Sequence, residues 1–218
     1  KEGGLALADC LTTNNTITNL NLSCNHIGED EGVVINNACI AIVNALKTNN
    51  TITHLDLSWN RIKKEGGMAL ADCLMTNNTI TNLNLSGNQI GEDGGVFINN
   101  ACIAIANALK TNTTVTDLDL SYNSIKKEGG LALADCLTTN NAITNLNLGC
   151  NEIGEDGGVV INNACISIAN ALKTNTTVTY LDLSSNQINK EGGLALADCL
   201  TTNNTITNLN LFSNPICN

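Results

Sequence analysis

An internal repeat constrains this chain more than any other feature. The tetrapeptide Lys-Glu-Gly-Gly begins at Lys1, Lys64, Lys127 and Lys190, always 63 residues apart, which divides the 218 residues into three 63-residue units and a final 29-residue piece. Such a period is typical of a solenoid, in which each unit packs only on its neighbours. We therefore predict a single solenoid over residues 1–218. Because Lys1 opens in the middle of the pattern, we expect the sequence to be an excerpt from a longer chain.

Each 63-residue unit contains two shorter repeats that share the marker Leu-x-Leu-x-x-Asn-x-Ile. The marker first reads Leu20, Leu22, Asn25 and Ile27, and its Asn occurs seven times at alternating intervals of 35 and 28 residues. The period-two alternation over the marker predicts a short β-strand. A Gly-containing turn and a helical stretch are predicted to follow. The first helical stretch of the short repeats is residues 5–11, and that of the long repeats is residues 38–46.

The apolar positions of the marker predict how the repeats stack. Leu20, Leu22 and Ile27 face inward, and because one repeat cannot bury them alone they stack on the same positions of the next repeat, Leu55 among them. Strands stack about 4.8 Å apart, whereas helices need about 8–10 Å, so the solenoid bends with its strands inside. The marker Asn lies where the chain leaves the strand, and its amide is expected to satisfy backbone groups of the turn.

The repeated segments resemble a known family. Phrases such as ALKTNTTVTDLDLSYNSI, residues 108–125, are similar to leucine-rich repeat proteins of the ribonuclease-inhibitor-like subclass, which also forms the sensor arm of NOD-like receptors. The resemblance extends over essentially the whole chain. It implies an α/β fold, a curved horseshoe-shaped solenoid with parallel strands on the concave face and helices on the convex face. It says little about the ligand, because the family binds many.

The long repeats carry seven extra residues between the marker and the helix. In the first of them Glu29, Asp30 and Glu31 form an acidic cluster. The cluster lacks the alternating oxygen ligands and closing Glu of an EF-hand loop, and acidic residues before a helix favour its positive end. Apolar triplets follow at residues 33–35, 96–98 and 159–161. They are expected to pack on their own repeats, with a docking stripe on the convex or edge surface as the alternative.

Charge and hydropathy exclude several classes of function. The net charge of −10 argues against nucleic acid, whose phosphates need clustered Lys and Arg. No window approaches 18 uninterrupted apolar residues, so we expect no membrane span. His54 and Asp56 lack the nucleophile that a catalytic triad needs, and Asp117 with Asp119 is the nearest approach to a cation site. We therefore expect no enzyme activity, no cofactor and no metal.

Cysteine and asparagine usage point to different compartments. None of the ten Cys occurs in a Cys-x-x-Cys motif, and their helical columns are out of register for disulfides. We expect small buried free thiols and a cytoplasmic location. Asn-x-Ser/Thr, however, occurs eight times, six of them in the turn after the helix, where a glycan would fit. An extracellular location is therefore the alternative, with candidate glycosylation at Asn14, Asn49, Asn77, Asn112, Asn175 and Asn203.

Three columns vary between the repeats while the core columns barely change. One precedes the first strand Leu and points outward on the concave face, and the other two flank the marker Asn on the exit side. The only Trp and both Tyr of the chain lie in these columns, and Trp and Tyr are typical interface anchors. Drift at unconstrained positions does not explain why the aromatic residues gather there. The predicted partner-binding residues are His54, Asp56, Trp59, Arg61, Asp117, Asp119, Tyr122 and Tyr180.

These observations favour a non-enzymatic repeat scaffold that binds a protein partner through its concave face. The alternative is an extracellular structural protein, N-glycosylated or not, that assembles into filaments through the solenoid ends. Two features argue against seamless stacking. The last strand is of the Asn-Leu-Asn-Leu type, which is followed inside the chain by a long repeat, whereas Lys1 begins a short one. Phe212, Pro215 and Cys217 also break the pattern.

Overall fold

A computed structural model describes residues 2–27, 36–91, 99–154 and 162–217. Helices and strands alternate along these segments. The helices are α1 (Glu2–Leu11), α2 (Asn37–Leu46), α3 (Lys64–Leu74), α4 (Asn100–Leu109), α5 (Lys127–Leu137), α6 (Asn163–Leu172) and α7 (Lys190–Leu200). The strands are β1 (Asn19–Asn21), β2 (His54–Asp56), β3 (Asn82–Asn84), β4 (Asp117–Asp119), β5 (Asn145–Asn147), β6 (Tyr180–Asp182) and β7 (Asn208–Asn210). The acidic cluster at residues 29–31 and the three apolar triplets lie outside the described residues.

The seven strands form one open, parallel sheet in chain order, β1 to β7. Each strand pairs with the next in the register that the repeat predicts, with Leu20 opposite Leu55 and Leu55 opposite Leu83. A helix lies between every two consecutive strands, and each helix packs on the next one. The predicted α/β solenoid, with strands on the concave face and helices on the convex face, is confirmed.

The core is built from the marker positions, as predicted. Leu55 is 2% exposed and Leu57 and Ile62 are fully buried, and the same positions are buried in each internal repeat. In the first and last repeats the equivalent Leu20 and Leu209 are only partly buried, since each has a neighbouring repeat on one side only within the chain. The stability of an internal repeat therefore depends on both of its neighbours.

The helices of the short repeats begin earlier than predicted. The sequence placed the Gly pair in a turn before residues 5–11, but α1 begins at Glu2, and its counterpart α3 begins at Lys64 and includes Gly66 and Gly67. A Cβ on Gly67 would lie 2.6 Å from the Cβ of Ala101 in the following helix. The Gly pair thus lies within the helix and lets neighbouring helices approach closely. The stabilisation from this close packing outweighs the low helix propensity of Gly.

The marker Asn forms a buried amide ladder, as expected. Asn151 is 4% exposed, and its Nδ2 donates to the carbonyl oxygens of Leu120 and Leu148, both at 3.0 Å. Its Oδ1 accepts from the backbone N–H groups of Asn123 and Ile125 in the preceding repeat. One side chain therefore closes the turn of its own repeat and of the repeat before it, in a place that water does not reach.

Besides the marker Asn, another buried Asn lies at the end of the extra segment of each long repeat. Asn36, Asn99 and Asn162 are fully buried and adopt left-handed backbone conformations. Asn36 Oδ1 accepts from the N–H groups of Lys63 and Gly66 at the start of α3. An Asn of one repeat thus satisfies donors at the N-terminus of the next helix. No motif in the sequence marks this role.

Candidate binding surface

The outward positions of the strands line a depression on the concave face. Successive strand residues point to opposite sides, so the Leu between two polar residues is buried while the polar residues face solvent. The depression has a volume of about 510 Å³. Five of the eight predicted binding residues line it. They are His54, Asp56, Asp117, Asp119 and Tyr180.

The centre of this surface is a ladder of alternating Asp and Asn side chains. Asp119 Oδ1 accepts from the N–H and the hydroxyl of Ser121, at 2.8 and 2.7 Å. Its Oδ2 accepts from Nδ2 of Asn147 on the next strand, at 3.0 Å. Asp56 with Asn84 and Asp182 with Asn210 repeat the arrangement on the neighbouring strand pairs. All these donors are neutral, so the ladder positions each carboxylate without cancelling its charge.

The Lys residues for which the structure defines an ion-pair partner lie outside the depression. Lys173, directly after α6, contacts Asp198 of α7 at 2.5 Å, and Lys110, directly after α4, contacts Asp135 of α5. Lys126 contacts Glu152 at 3.0 Å beyond the ends of the strands. No Lys or Arg is among the described residues that line the depression. The concave face therefore carries net negative charge over several strands, while some of the basic residues neutralise the helical side.

Tyr180 closes one end of the depression. It is 39% exposed, and its hydroxyl lies 3.5 Å from Asp182 Oδ2. Burial, the charge and hydrogen bond of Asp182, and the charge of Asp119 raise the pKa of Tyr180 above its usual value. The phenol thus experiences two carboxylates from different strands. Asp182 belongs to the same column as Asp56 but is only 9% exposed, and it is not among the predicted binding residues.

Trp59 and Tyr122 form an exposed aromatic pair beyond the ends of the strands. Their ring centroids are 5.7 Å apart with the planes inclined by 42°, and they are 53% and 54% exposed. Two strand spacings alone would separate these positions by about 10 Å, because Gly87 lies between them in the column. A Cβ on Gly87 would lie 2.3 Å from Trp59 Cδ2, so the indole lies on the Gly87 backbone and reaches over it towards Tyr122.

This aromatic pair is held in an unusual backbone conformation. Trp59 has φ 56° and Tyr122 has φ 55°, in the left-handed region that bulky residues rarely adopt. The turn imposes it, since Cys24, Cys150 and Ser185 at the same position have similar values. Two large aromatic residues therefore occupy positions that local conformation disfavours.

A hydrogen bond to Cys150 raises the pKa of Tyr122.

The eight predicted residues thus fall into two groups. Five line the depression, whereas Trp59, Arg61 and Tyr122 lie on the exit edge of the sheet, in the turns that follow β2 and β4. Arg61 is exposed and also has a left-handed backbone, with φ 56°. His54 is exposed on the concave side, where its Nδ1 lies 2.8 Å from Thr53 Oγ1.

Five of the six candidate glycosylation sites have buried amides that bond to the preceding repeat. Asn112 is 5% exposed, and its Nδ2 donates to the carbonyl oxygens of Leu74 and Asn77 in the preceding repeat. Asn49, Asn77, Asn175 and Asn203 are buried in the same way. A glycan on Nδ2 would displace these bonds. Asn14, in the first repeat, is half-buried, and its Nδ2 donates to Thr16 Oγ1 at 3.4 Å.

Asn140 explains why this column contains Asn. It is not part of an Asn-x-Ser/Thr motif, because Ala142 replaces the Thr. Its amide nevertheless makes the same bonds, to the carbonyl oxygens of Leu109 and Asn112. The hydrogen-bonding requirement therefore accounts for the column whether or not the motif is present. The buried geometry argues against glycans at these five Asn in the folded chain.

The thiols are free in the structure, and every Cys of the chain lies within the described residues. Cys39, Cys73, Cys102, Cys136, Cys165 and Cys199 are buried. Burial raises the pKa of Cys39, Cys102 and Cys165 to about 12, so these thiols stay protonated at neutral pH. Cys10, Cys24 and Cys217 are exposed.

The described residues contain no group of three or more His, Cys, Asp or Glu side chains that could hold a metal ion. The two carboxylates of β4 have separate partners, since Asp117 contacts Thr116 and Asn145 whereas Asp119 contacts Ser121 and Asn147. Within the same segments, every helix is too short or too polar to cross a bilayer.

Comparisons with known proteins agree with this architecture. A family model described as Leucine Rich repeat matches residues 13–34, 48–71, 76–98, 111–134, 139–161 and 174–197. A solved structure entitled tropomodulin C-terminal domain, from Caenorhabditis elegans, aligns with a TM-score of 0.55 and 10% identity over 80% of this chain and 92% of that one. Leiomodin-1 Actin-Binding Site 2 aligns with a TM-score of 0.47 and 19% identity over 92% and 87%. The first likeness shows a shared fold. A search of curated protein sequences gives no significant match.

Proposed function

Because this chain belongs to the leucine-rich repeat family, we propose that it is a non-enzymatic scaffold that binds a protein partner through the concave face and exit edge of its sheet. The Trp59–Tyr122 pair is the observation that carries the proposal. Both rings are half exposed in a backbone conformation that disfavours them. Neither ring belongs to the stacked core, so folding alone gives no reason for them.

The surroundings of the pair match the anatomy of a protein interface. Interfaces place aromatic anchors beside polar residues that make hydrogen bonds at the rim. Here the anchors adjoin a strand face that carries His54, Asp56 and Asp119. A partner covering the ends of the three consecutive strands β2 to β4 would bury both rings at once.

Site-directed photo-crosslinking tests this proposal. A photoreactive amino acid is placed at Asn82 on the concave face, and in a matched variant at Met75, which is 59% exposed after α3. Both proteins are exposed to extract from the source cells and the adducts are identified by mass spectrometry. We expect a defined adduct from Asn82 that is absent from Met75. The same adducts from both positions, or none from Asn82, would contradict a concave binding face.

The comparison extends to the exit edge by adding Trp59→Ala and Tyr122→Ala to the Asn82 probe. Removal of an interface anchor costs roughly 2 kcal/mol or more of binding free energy. The adduct is therefore expected to weaken strongly in each variant. An undiminished adduct would show that the aromatic pair does not contribute to binding, although the concave face still does.

Self-assembly is the second candidate function, and exposed apolar residues in the last repeat favour it. Leu194 is 61% exposed and Phe212 is 77% exposed, and a second copy stacked on this repeat would bury both. The scaffold proposal predicts a monomer at micromolar concentration, whereas assembly predicts light scattering that grows with concentration. Long fibres in negative-stain images would favour the second candidate.

We propose a reducing, cytoplasmic compartment for the scaffold. The free, mostly buried thiols and the buried amides of five candidate glycosylation sites support this location over the extracellular alternative. We also propose that this chain belongs to the ribonuclease-inhibitor-like subclass, because its repeats resemble those of that subclass. Intact mass of the native protein, which reports glycans and disulfides together, tests the location.

A further inference from the structure

We infer that the concave face takes a basic, extended segment of its partner, with Lys or Arg at every third residue, lying across the strands. This inference rests on the proposed function, since it names the partner chemistry of the same surface. Three features support it, namely the uncompensated charge of the Asp/Asn ladder, the regular spacing of its carboxylates and the shape of the depression.

The charge of the ladder is directed to solvent. Asp56 and Asp119 are half-buried at the floor of the depression, and each accepts hydrogen bonds from a backbone N–H and a neighbouring Asn amide. Such neutral donors fix the carboxylate but leave its negative charge. Charge complementarity therefore selects a cationic occupant, because an acidic or phosphorylated segment would meet like charge on every second strand.

Alternation with Asn sets the spacing of the carboxylates. Asp occupies this column on β2, β4 and β6, and Asn occupies it on the strands between them. Like charges on adjacent strands would destabilise the sheet, whereas the intervening amides donate hydrogen bonds to the carboxylates. Two strand spacings of about 4.8 Å place successive Asp residues about 10 Å apart.

This spacing selects the conformation of the occupant. A segment in the extended polyproline II conformation advances about 3.1 Å per residue with three residues per turn, so every third side chain lies on one face and three residues span about one interval. Two basic side chains three positions apart would then meet Asp56 and Asp119 at the floor of the depression, and a third would reach the end beside Tyr180, where Asp182 lies below the surface, 9% exposed. A helix advances 1.5 Å per residue and would need basic residues six or seven positions apart on one face.

The shape of the surface favours the same occupant. The depression runs from β1 to Tyr180 on β6, so its long axis crosses the strands. His54 flanks the ladder at β2, and Tyr180 flanks it at β6, where its ring is offered to a cation or to a Pro of the segment. The ladder therefore lies in a trough with an aromatic end.

Two fluorescein-labelled peptides of identical composition test the inference. One carries three Lys at every third position among Ser, Pro and Gly, and the other carries the three Lys consecutively. Their binding to the full chain is measured by fluorescence anisotropy at low and physiological ionic strength. We expect the spaced peptide to bind roughly tenfold more tightly, with affinity falling as salt rises. Equal binding of the two peptides would overturn the inference.

Matched charge-removing variants locate the binding. The first combines Asp56→Asn, Asp119→Asn and Asp182→Asn on the ladder. The second combines Glu65→Gln, Glu128→Gln and Glu191→Gln, which removes the same charge with the same repeat period from exposed helix starts. We expect the first variant to lose the preference for the spaced peptide and the second to keep it. Equal losses would show a general response to net charge and would overturn the inference.

Two further outcomes keep the test informative. If the triple Asp variant fails to fold, Asp119→Asn alone must lower the affinity for the spaced peptide, and an unchanged affinity would contradict the inference. If neither peptide binds while the photoreactive probe at Asn82 still traps a protein, the partner chemistry is wrong but the concave scaffold stands. If the probe also fails, the proposed function fails with it.

Discussion

Two columns of polar side chains run through the same repeats and have different roles. One is the interior column of marker Asn residues, and the other is the concave column in which Asp and Asn alternate. The interior column, represented by Asn151, bonds to backbone groups that water does not reach. The concave column, represented by Asn147 four residues earlier, bonds to a neighbouring carboxylate at the solvent boundary. Both link one repeat to the next, but only the interior column would leave buried groups unsatisfied if it were lost. The comparison separates residues that stabilise the solenoid from residues available for recognition.

The largest effect is expected in the core beneath both columns. Leu57 is fully buried between neighbouring repeats, so Leu57→Ala should lower the free energy of unfolding by roughly 2–5 kcal/mol through a cavity. Leu57→Met, which nearly conserves volume, should cost less than about 1.5 kcal/mol. Urea denaturation followed by circular dichroism measures both. Similar losses for the two variants would show that packing volume does not govern this position.

A smaller effect is expected at the exit edge, where Gly87 supports Trp59. Gly87→Ala places a Cβ where the indole lies and requires a left-handed backbone, with φ +63°. We expect a loss of roughly 1–2 kcal/mol in stability and a red shift of the Trp fluorescence. In a Trp59→Ala background, which should itself change stability by about 1 kcal/mol or less, the clash disappears. A loss at Gly87 that is the same in both backgrounds would contradict the packing described here.

Still smaller is the effect of removing charge from the concave ladder. Asp119→Asn keeps the side-chain shape and an oxygen for the Ser121 N–H, so stability should change by about 0.5 kcal/mol or less, as for other surface substitutions. The same urea experiment provides the measurement. A loss of several kcal/mol would place this carboxylate among the structural residues.

The smallest expected change is in a single titration. The pKa of Tyr180 is raised by burial and by Asp182 and Asp119, so its phenolate forms at higher pH than that of a free Tyr. Asp182→Asn removes one negative charge and should lower this pKa. Phenolate absorbance in a Tyr122→Phe background isolates Tyr180, which is then the only Tyr of the chain. An unchanged pKa would mean that the carboxylate does not influence the phenol.

The sequence predicted the fold well because the core follows a strict linear pattern. The Leu columns, the strand register and the buried marker Asn all follow from period and spacing. It did not reveal the cross-repeat hydrogen bonds of the Asn112 column. The motif in that column suggested glycosylation, whereas Asn140, which lacks the motif, makes the same bonds.

The candidate site was predicted only in part, for related reasons. Variation between repeats identified the outward residues, and their column positions placed them on the concave face or exit edge. It could not show that Trp59 reaches over Gly87 to Tyr122, because side-chain direction in a left-handed turn does not follow strand spacing. Nor could it show that an Asn amide from the next repeat contacts each ladder carboxylate.

The most direct test of the two-column account is one matched pair of substitutions in one repeat. Asn151→Ala removes five hydrogen bonds from the interior, three donated by Nδ2 and two accepted by Oδ1. Asn147→Ala removes hydrogen bonds to Gly149 and Asp119 at a half-buried position. Urea unfolding should show a loss of roughly 3–5 kcal/mol for the first and about 1 kcal/mol or less for the second. Equal losses, or a larger loss from Asn147→Ala, would contradict the division between a structural interior and a recognition surface.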